Sequence, residues 1–341
     1  MRKILALVSI LFAIGVSVST AAVLINGAGA TFPNPMYSKW FFEYNKLHPD
    51  VQINYQSLGS GAGIQQVTEG TVDFGATDGP MNDDQIKAFR DKRGAGVLHF
   101  PTVLGGVVPS YNLPGVTGEL NFTPEALAGI FLGKITKWND PELAKANPGV
   151  KLPTSDLLVV HRSDGSGTTY VWVDFLCKVS PEWKKGPGLG TAINWPVGLG
   201  GKGNDGVSGL IKQTPYSIGY VELIYAVQNK LPYGKVRNSS GSFVKADLAS
   251  VTAAANGAAQ NMPDDFRVSI TNGPGKDVYP IASFTWLLIP EKIQDAGKKK
   301  IITDFLTWML NDGQNLTEAL TYAKLPKAVV AKELKAISKI Q

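Results

Sequence analysis

The chain has 341 residues, with 33 lysines and arginines against 28 aspartates and glutamates and a formal net charge of +5. That length is too great for one ordinary hydrophobic core and predicts two domains. The cations are scattered, with Lys298-Lys299-Lys300 the one run, which argues against nucleic acid as a partner. The single cysteine, Cys177, excludes an intramolecular disulfide and paired-cysteine zinc sites.

Residues 1–22 read as an export signal. Arg2 and Lys3 make a basic start, Ile4 to Val18 is an apolar run of 15 residues, and Ser19-Thr20-Ala21-Ala22 supplies small residues for cleavage. The run is short for a membrane span, no later stretch reaches about 18 apolar residues, and no cysteine lies near the cleavage region to carry a lipid. The mature chain is expected to be exported, soluble and free of a lipid anchor, with its formal charge reduced to +3 by the loss of those two cations.

Val23-Leu24-Ile25-Asn26 predicts a first strand and Gly27 to Pro33 the loop after it. A helix follows, with Met36, Trp40 and Tyr44 on one face and Pro33 and Pro35 at its start, where a missing N–H costs little. Val51 to Tyr55 alternates as a second strand, and Gly59-Ser60-Gly61-Ala62-Gly63 opens a helix through Ile64 and Val67. Val72 to Ala76 predicts a third strand, ending in the turn Thr77-Asp78-Gly79-Pro80. The helix from Asp83 to Arg90 is charged and expected to be solvated. Val97 to Ser110 is a long extended run holding Gly105 and Gly106, and it reads as a strand crossing between domains near Val103.

A capped helix is expected from Thr123 to near Gly133. Leu157 to Val160 predicts a strand, Arg162 to Thr169 a glycine-rich turn, and Trp172, Phe175 and Leu176 one face of the helix after it, in which Cys177 packs. Gly198, Gly200 and Gly203 match the dinucleotide-binding spacing, with Glu222 about 20 residues on. No clean strand precedes them and no N-terminal βαβ unit frames them, so no cofactor is expected; the segment reads as a tight loop before a helix over 207–212. Ser217 to Leu223 predicts a strand, 240–265 a region of helix and loop, and Val278 to Pro290 the return crossing. Helices over 298–311 and 313–322 and a lysine-bearing tail close the chain. The expected domains are 23–103 with 272–341, and 104–271.

Strand, glycine-rich turn and helix thus recur three times, with Thr31, Ser60 and Ser166–Thr168 at the helix mouths. The first turn of a helix carries unpaired N–H groups and the positive end of the dipole, which attract an anion. Arg162 adds a planar fork of donors suited to phosphate or carboxylate. Asp78 repels an anion unless the ligand brings a proton, as hydrogen phosphate does and sulfate does not; an acceptor in a dry cleft therefore rejects sulfate. Asp164 is placed to orient Arg162. Each motif alone also fits an ordinary turn with a capping hydroxyl.

Seven ordered blocks carry a resemblance over nearly the whole mature chain. They are Gly27-Ala-Gly-Ala-Thr-Phe-Pro, Gly59-Ser-Gly, Val72-Asp-Phe-Gly-Ala-Thr-Asp, Phe100-Pro-Thr-Val-Leu-Gly-Gly-Val, Arg162-Ser-Asp-Gly-Ser-Gly-Thr, Gly198-Leu-Gly-Gly-Lys-Gly-Asn-Asp-Gly and Ile218-Gly-Tyr-Val-Glu. Together they resemble the periplasmic phosphate-binding proteins of phosphate ABC transporters. The resemblance implies two α/β domains joined by two crossing strands, closing as a class II binding protein on one dehydrated phosphate. It implies ligand contacts from Thr31, the Phe32 backbone, Ser60, Asp78, Arg162, Ser166, the Gly167 backbone and Thr168, with a membrane-embedded ABC permease as partner, a periplasmic location and a monomer. Gly61 departs from the family, which often has a second serine there.

Two rival functions remain at this point. An exported phosphatase or phosphotransferase is disfavoured by only three histidines, His48, His99 and His161, without metal-ligand spacing or a base beside Ser166 or Thr168. A binding protein for another protonated oxyanion, such as arsenate, fits the same residues.

Overall fold

The computed structural model describes residues 22–341; the expected signal peptide, 1–22, lies outside those residues but for Ala22. Strands are β1 Val23–Gly29, β2 Val51–Ser57, β3 Phe74–Thr77, β4 Val97–Asn112, β5 Asn121–Phe122, β6 Leu158–Arg162, β7 Leu199–Gly201, β8 Ser217–Glu222, β9 Lys235–Arg237, β10 Phe243–Val244 and β11 Ala282–Pro290. In the first half the helices are α1 Asn34–Leu47, α2 Ser60–Glu69, α3 Asp83–Arg93, α4 Pro124–Phe131, α5 Pro141–Ala146 and α6 Gly167–Val179. The second half has α7 Pro181–Lys185, α8 Gly203–Gln213, α9 Leu223–Gln228, α10 Leu248–Ala259, α11 Ala296–Leu310 and α12 Lys327–Ala336. None of these helices is long and apolar enough to cross a membrane.

Eight strands form one sheet in the order β2-β1-β3-β11-β4-β8-β6-β7, and β10-β9-β5 form a small second one. β1 pairs parallel with β2 and β3, and β6 parallel with β8 and β7; β11 and β4 run antiparallel to their neighbours. Parallel pairs need crossover helices, and α1, α2, α6 with α7, and α8 supply them. β4 joins the two parallel halves. Its residues Val97–Gly106 pair with β11, and Val107–Asn112 pair with β8, so the partner changes at one peptide, between Gly106 and Val107. Every residue from His99 to Tyr111 is buried, which explains an apolar run without alternation.

α1 buries Met36, Tyr37, Trp40, Phe41 and Tyr44, the stripe its sequence spacing predicts. Four other expectations change. α3 is not wholly solvated: Asn82 and Gln85 form a capping box at its start, and Phe89 is fully buried. The segment 313–322 forms two short 3₁₀ turns, Asp312–Leu316 and Glu318–Leu320, rather than a helix; Thr321 at φ 62° breaks the run. The lysine-bearing tail is the helix α12, seated by Val329, Glu333 and Ala336. Inside the expected loop before α8, Leu199–Gly201 is a strand, β7, paired with β6.

Candidate functional site

The ends of β1, β3 and β6 and the starts of α1, α2 and α6 converge, the edge at which parallel sheets bind ligands. Thr31, Phe32, Ser60, Asp78, Arg162, Ser166, Gly167 and Thr168 are all buried there. Ser60 Oγ accepts the Asp78 N–H at 3.3 Å. A Cβ on Gly167 would lie 2.5 Å from both Asp78 Oδ2 and Ser60 Oγ, so the start of α6 meets the Asp78 turn in backbone contact. Gly61 N–H donates to Gly165 O at 2.9 Å, and a Cβ on Gly61 would sit 3.1 Å from Gly165 Cα. The two halves of the sheet are closed on each other.

Each donor is oriented by a second group. Ser166 caps α6, its Oγ accepting Thr169 N–H at 3.0 Å; by helix geometry, the N–H groups of Gly167 and Thr168 have no acceptor within α6. Arg162 gives Asp164 two bonds, Nε to Oδ1 at 2.8 Å and Nη2 to Oδ2 at 2.5 Å. Asp164 also accepts Gly203 N–H at 3.0 Å. Burial pushes the Asp164 carboxyl up, but the Arg162 fork and that N–H outweigh it and hold the carboxyl below its usual range. Asp164 therefore orients Arg162, as its sequence position suggests. The remaining guanidinium nitrogen, Nη1, is buried and has no partner among the described residues.

Asp78 is the acceptor among these donors. Thr285 Oγ1 donates to its Oδ1 at 2.8 Å, while its Oδ2 is buried without a partner. Burial pushes its carboxyl up to about 7, against the lowering pull of Thr285 and Arg162. A role as a charged acceptor would therefore require a pH above that, a narrower range than the sequence argument assumes.

Asn204 was not among the sequence candidates, yet it fixes two of them. Its Nδ2 donates to Thr31 Oγ1 at 2.8 Å and to Thr168 Oγ1 at 3.1 Å, and its N–H donates to Thr31 Oγ1 at 3.2 Å. Its Oδ1 accepts Glu222 N–H at 3.0 Å, which sets the amide's orientation. A hydroxyl oxygen has two acceptor sites and one proton. Both acceptor sites of Thr31 Oγ1 are taken, so its proton is left to point at a ligand. Its signals are the Gly203-Asn204-Asp205-Gly206 stretch at a helix start and the resemblance block that contains it; neither connects it to Thr31 by spacing.

Backbone carbonyls are also held. Tyr225 OH donates to Thr31 O at 2.5 Å and Tyr322 OH to Phe32 O at 2.6 Å; the Phe32 ring itself is core, lying against Gly105. Tyr220 OH meets Thr169 Oγ1 at 2.6 Å and accepts Arg162 N–H at 3.1 Å. Glu222 is buried beside β4, its Oε2 accepting Ile224 N–H at 2.8 Å; burial, with the Asp78 charge adding to it, holds this carboxyl well above the usual range. His161 points away, its ring stacked on Trp195 at 4.8 Å.

The chain matches the model of the PBP superfamily domain over residues 16–313. It is 44% identical over 312 residues to the phosphate-binding protein PstS of Xylella fastidiosa (strain Temecula1), covering 91% of this chain and 84% of that protein. It is 42% identical over 333 residues to the PstS of Pasteurella multocida (strain Pm70), covering 97% and 94%. Its fold matches that of a high affinity periplasmic phosphate-binding protein solved with bound phosphate, with a TM-score of 0.74 at 21% identity over 91% and 93% of the two chains.

Proposed function

We infer the function from one premise: this chain belongs to the PBP superfamily and, within it, to the phosphate-binding protein PstS family. It is a type II binding protein that takes up inorganic phosphate for ABC transport, and it is not an enzyme. Beyond the family, the proposal is that phosphate lies between Thr31, the Phe32 N–H, Ser60, Asp78, Arg162, Ser166, the Gly167 N–H and Thr168. The observation that carries it is a pair of buried atoms without partners among the described residues, Arg162 Nη1 and Asp78 Oδ2. One is a fixed cationic donor, the other an acceptor, and only a ligand that both accepts and donates satisfies the two. Hydrogen phosphate does so with its oxygens and its proton.

On this reading the lobes are 23–103 with 272–341, and 104–271, and the cleft closes around phosphate by rotation about the crossing strands. The protein acts in the periplasm as a monomer and hands its ligand to a membrane-embedded ABC permease. The test is calorimetric titration of ligand-stripped protein near pH 8, where Asp78 is mostly ionised. One-to-one phosphate binding is expected, with sulfate about tenfold weaker than at a fully protonated Asp78, and with Asp78→Asn strengthening sulfate binding. Equal binding of both anions by the wild-type protein would defeat the acceptor role of Asp78, and binding of neither would defeat the site.

A further inference from the structure

Beside the cleft, residues 262–271 touch both of its sides. Their first part is fastened beside the Asp78 turn. Trp286 Nε1 donates to Phe266 O at 2.9 Å, Lys332 Nζ to Met262 O at 2.6 Å, and Phe266 is buried in the core. Arg267 Nη1 reaches Met81 O at 3.0 Å and Asp83 Oδ1 at 2.8 Å, while its Nε is held by Asp265. Met81 N–H, in turn, donates to the imidazole of His99 at 3.2 Å. Burial, helped by the nearby Arg267 charge, pushes this imidazole down to about 3, so it is neutral and can accept. The peptide groups three residues after Asp78 are therefore gripped from β4 and from Arg267.

The second part is fastened to α6, the helix whose first turn carries Ser166, Gly167 and Thr168. Asp174 is the one acidic residue of α6, and it is buried. Its Oδ2 accepts Ser269 Oγ and Thr271 Oγ1, each at 2.5 Å, and lies 3.0 Å from Lys178 Nζ. Lys178 closes the cluster by donating to Ser269 Oγ, Thr271 Oγ1 and Thr271 O at 2.6, 2.7 and 3.1 Å. None of these groups touches the proposed phosphate position, and a helix does not need such a cluster to pack.

The two grips, at Arg267 and at Ser269, are two residues apart. A span of two residues reaches at most ~7 Å even when fully extended. Moving the Asp78 turn and α6 farther apart than the strap can stretch must therefore break one grip. We propose that residues 262–271 are a strap that holds the Asp78 turn and the phosphate-binding helix together in the closed state, with Arg267 and Asp174 as the positioning residues at its two ends. Release of phosphate then requires a grip to open, and the strap sets part of the release rate. This rests on the site proposed above.

The experiment is a double-mutant cycle on phosphate dissociation, followed by stopped flow on the full chain with Arg267→Gln, Asp174→Asn and the pair. Loss of one charge-assisted contact gives each single variant roughly tenfold faster release, with association little changed. Because Arg267 and Asp174 sit in series along the strap, loosening either relieves the same link between the Asp78 turn and α6, and the double variant should release phosphate about as fast as the faster single one. Multiplying effects, or unchanged release rates with only the melting temperature lowered, would overturn the strap. Should Asp174→Asn fail to fold, Ser269→Ala with Thr271→Val removes the same bonds from the other side. A wild-type protein that binds no phosphate would count against the site instead.

Discussion

Replacing Asn204 by aspartate keeps the side chain's shape and reverses what it offers. The wild-type amide gives one N–H each to Thr31 Oγ1 and Thr168 Oγ1, leaving both hydroxyl protons for the anion. A carboxylate accepts only, so in Asn204→Asp both hydroxyls turn toward residue 204 and present lone pairs to the ligand. Each reversal forfeits a hydrogen bond to a charged group, worth ~1.5–3 kcal/mol. Two reversals amount to about 3–6 kcal/mol, or a 10²- to 10⁴-fold loss of phosphate affinity. In Asn204→Ala the hydroxyls stay free to rotate and the loss is smaller, roughly 1–2 kcal/mol, or 5- to 30-fold. The alanine variant should instead lose more folding stability, because Glu222 N–H, which Asn204 Oδ1 accepts, is left without its partner. Titration near pH 8 with parallel thermal melts reads both quantities. If alanine weakens binding as much as aspartate does, or both stay within about twofold of the wild type, the hydroxyls are not preset by Asn204.

Three other outcomes follow from single groups. Sulfate has no proton to give, so it needs Asp78 protonated; its affinity should fall tenfold for each pH unit above about 7, whereas over the same range phosphate affinity stays nearly flat, and titrations from pH 7 to pH 9 check the ratio. Gly167→Ala puts a Cβ 2.5 Å from Asp78 Oδ2 and Ser60 Oγ; phosphate binding should be lost through failed closure while the ligand-free melting temperature changes little. Glu333 on α12 is buried with neither oxygen partnered, and burial holds its carboxyl well above the usual 4.5. Its folded form stays protonated while the unfolded chain ionises, so this group costs stability as the pH rises above about 4.5. Glu333→Gln should flatten that slope in denaturant titrations, and Glu333→Leu should add about 1–3 kcal/mol at neutral pH by removing unsatisfied polar atoms.

Much of the proposed site could be read from the chain because its candidate donors lie where local sequence states the geometry. A strand, a glycine turn and a hydroxyl at a helix start identify Thr31, Ser60 and Ser166 whatever the rest of the fold does. Asn204 could not be read that way. Its partners lie 173 and 36 residues away, and only the closed sheet order brings α8 against β1 and α6. Thr285, Tyr220, Tyr225 and Tyr322 were hidden for the same reason, since each sits in an apolar run or helix whose pattern reports burial but not which neighbour its hydroxyl meets. The tail over 327–336 shows a different limit: lysines at three of its ten positions mask a narrow seating stripe of Val329, Glu333 and Ala336, one member of which is itself charged by type.

If phosphate lies at the proposed site, the charges of the cleft explain how a closed site can hold an anion firmly and still exist without one. Arg162 is paired in advance with Asp164, so its guanidinium is not an uncompensated buried cation when phosphate is absent. Glu222 is held protonated by burial, and Asp78 is pushed toward neutrality in the same way. The fixed charge before binding is therefore close to zero, and the strong field that several lysines would create is missing. Attraction comes from oriented dipoles: hydroxyls whose protons face inward, first-turn N–H groups and one free guanidinium nitrogen. Such donors keep their value only in the geometry that aims them, since a rotated hydroxyl presents a lone pair where it presented a proton. Affinity is thereby tied to closure and to the residues that orient the donors, and opening the cleft dismantles the field that holds the ligand. A lattice of lysines would retain phosphate in the open form as well, which would suit a store rather than a carrier.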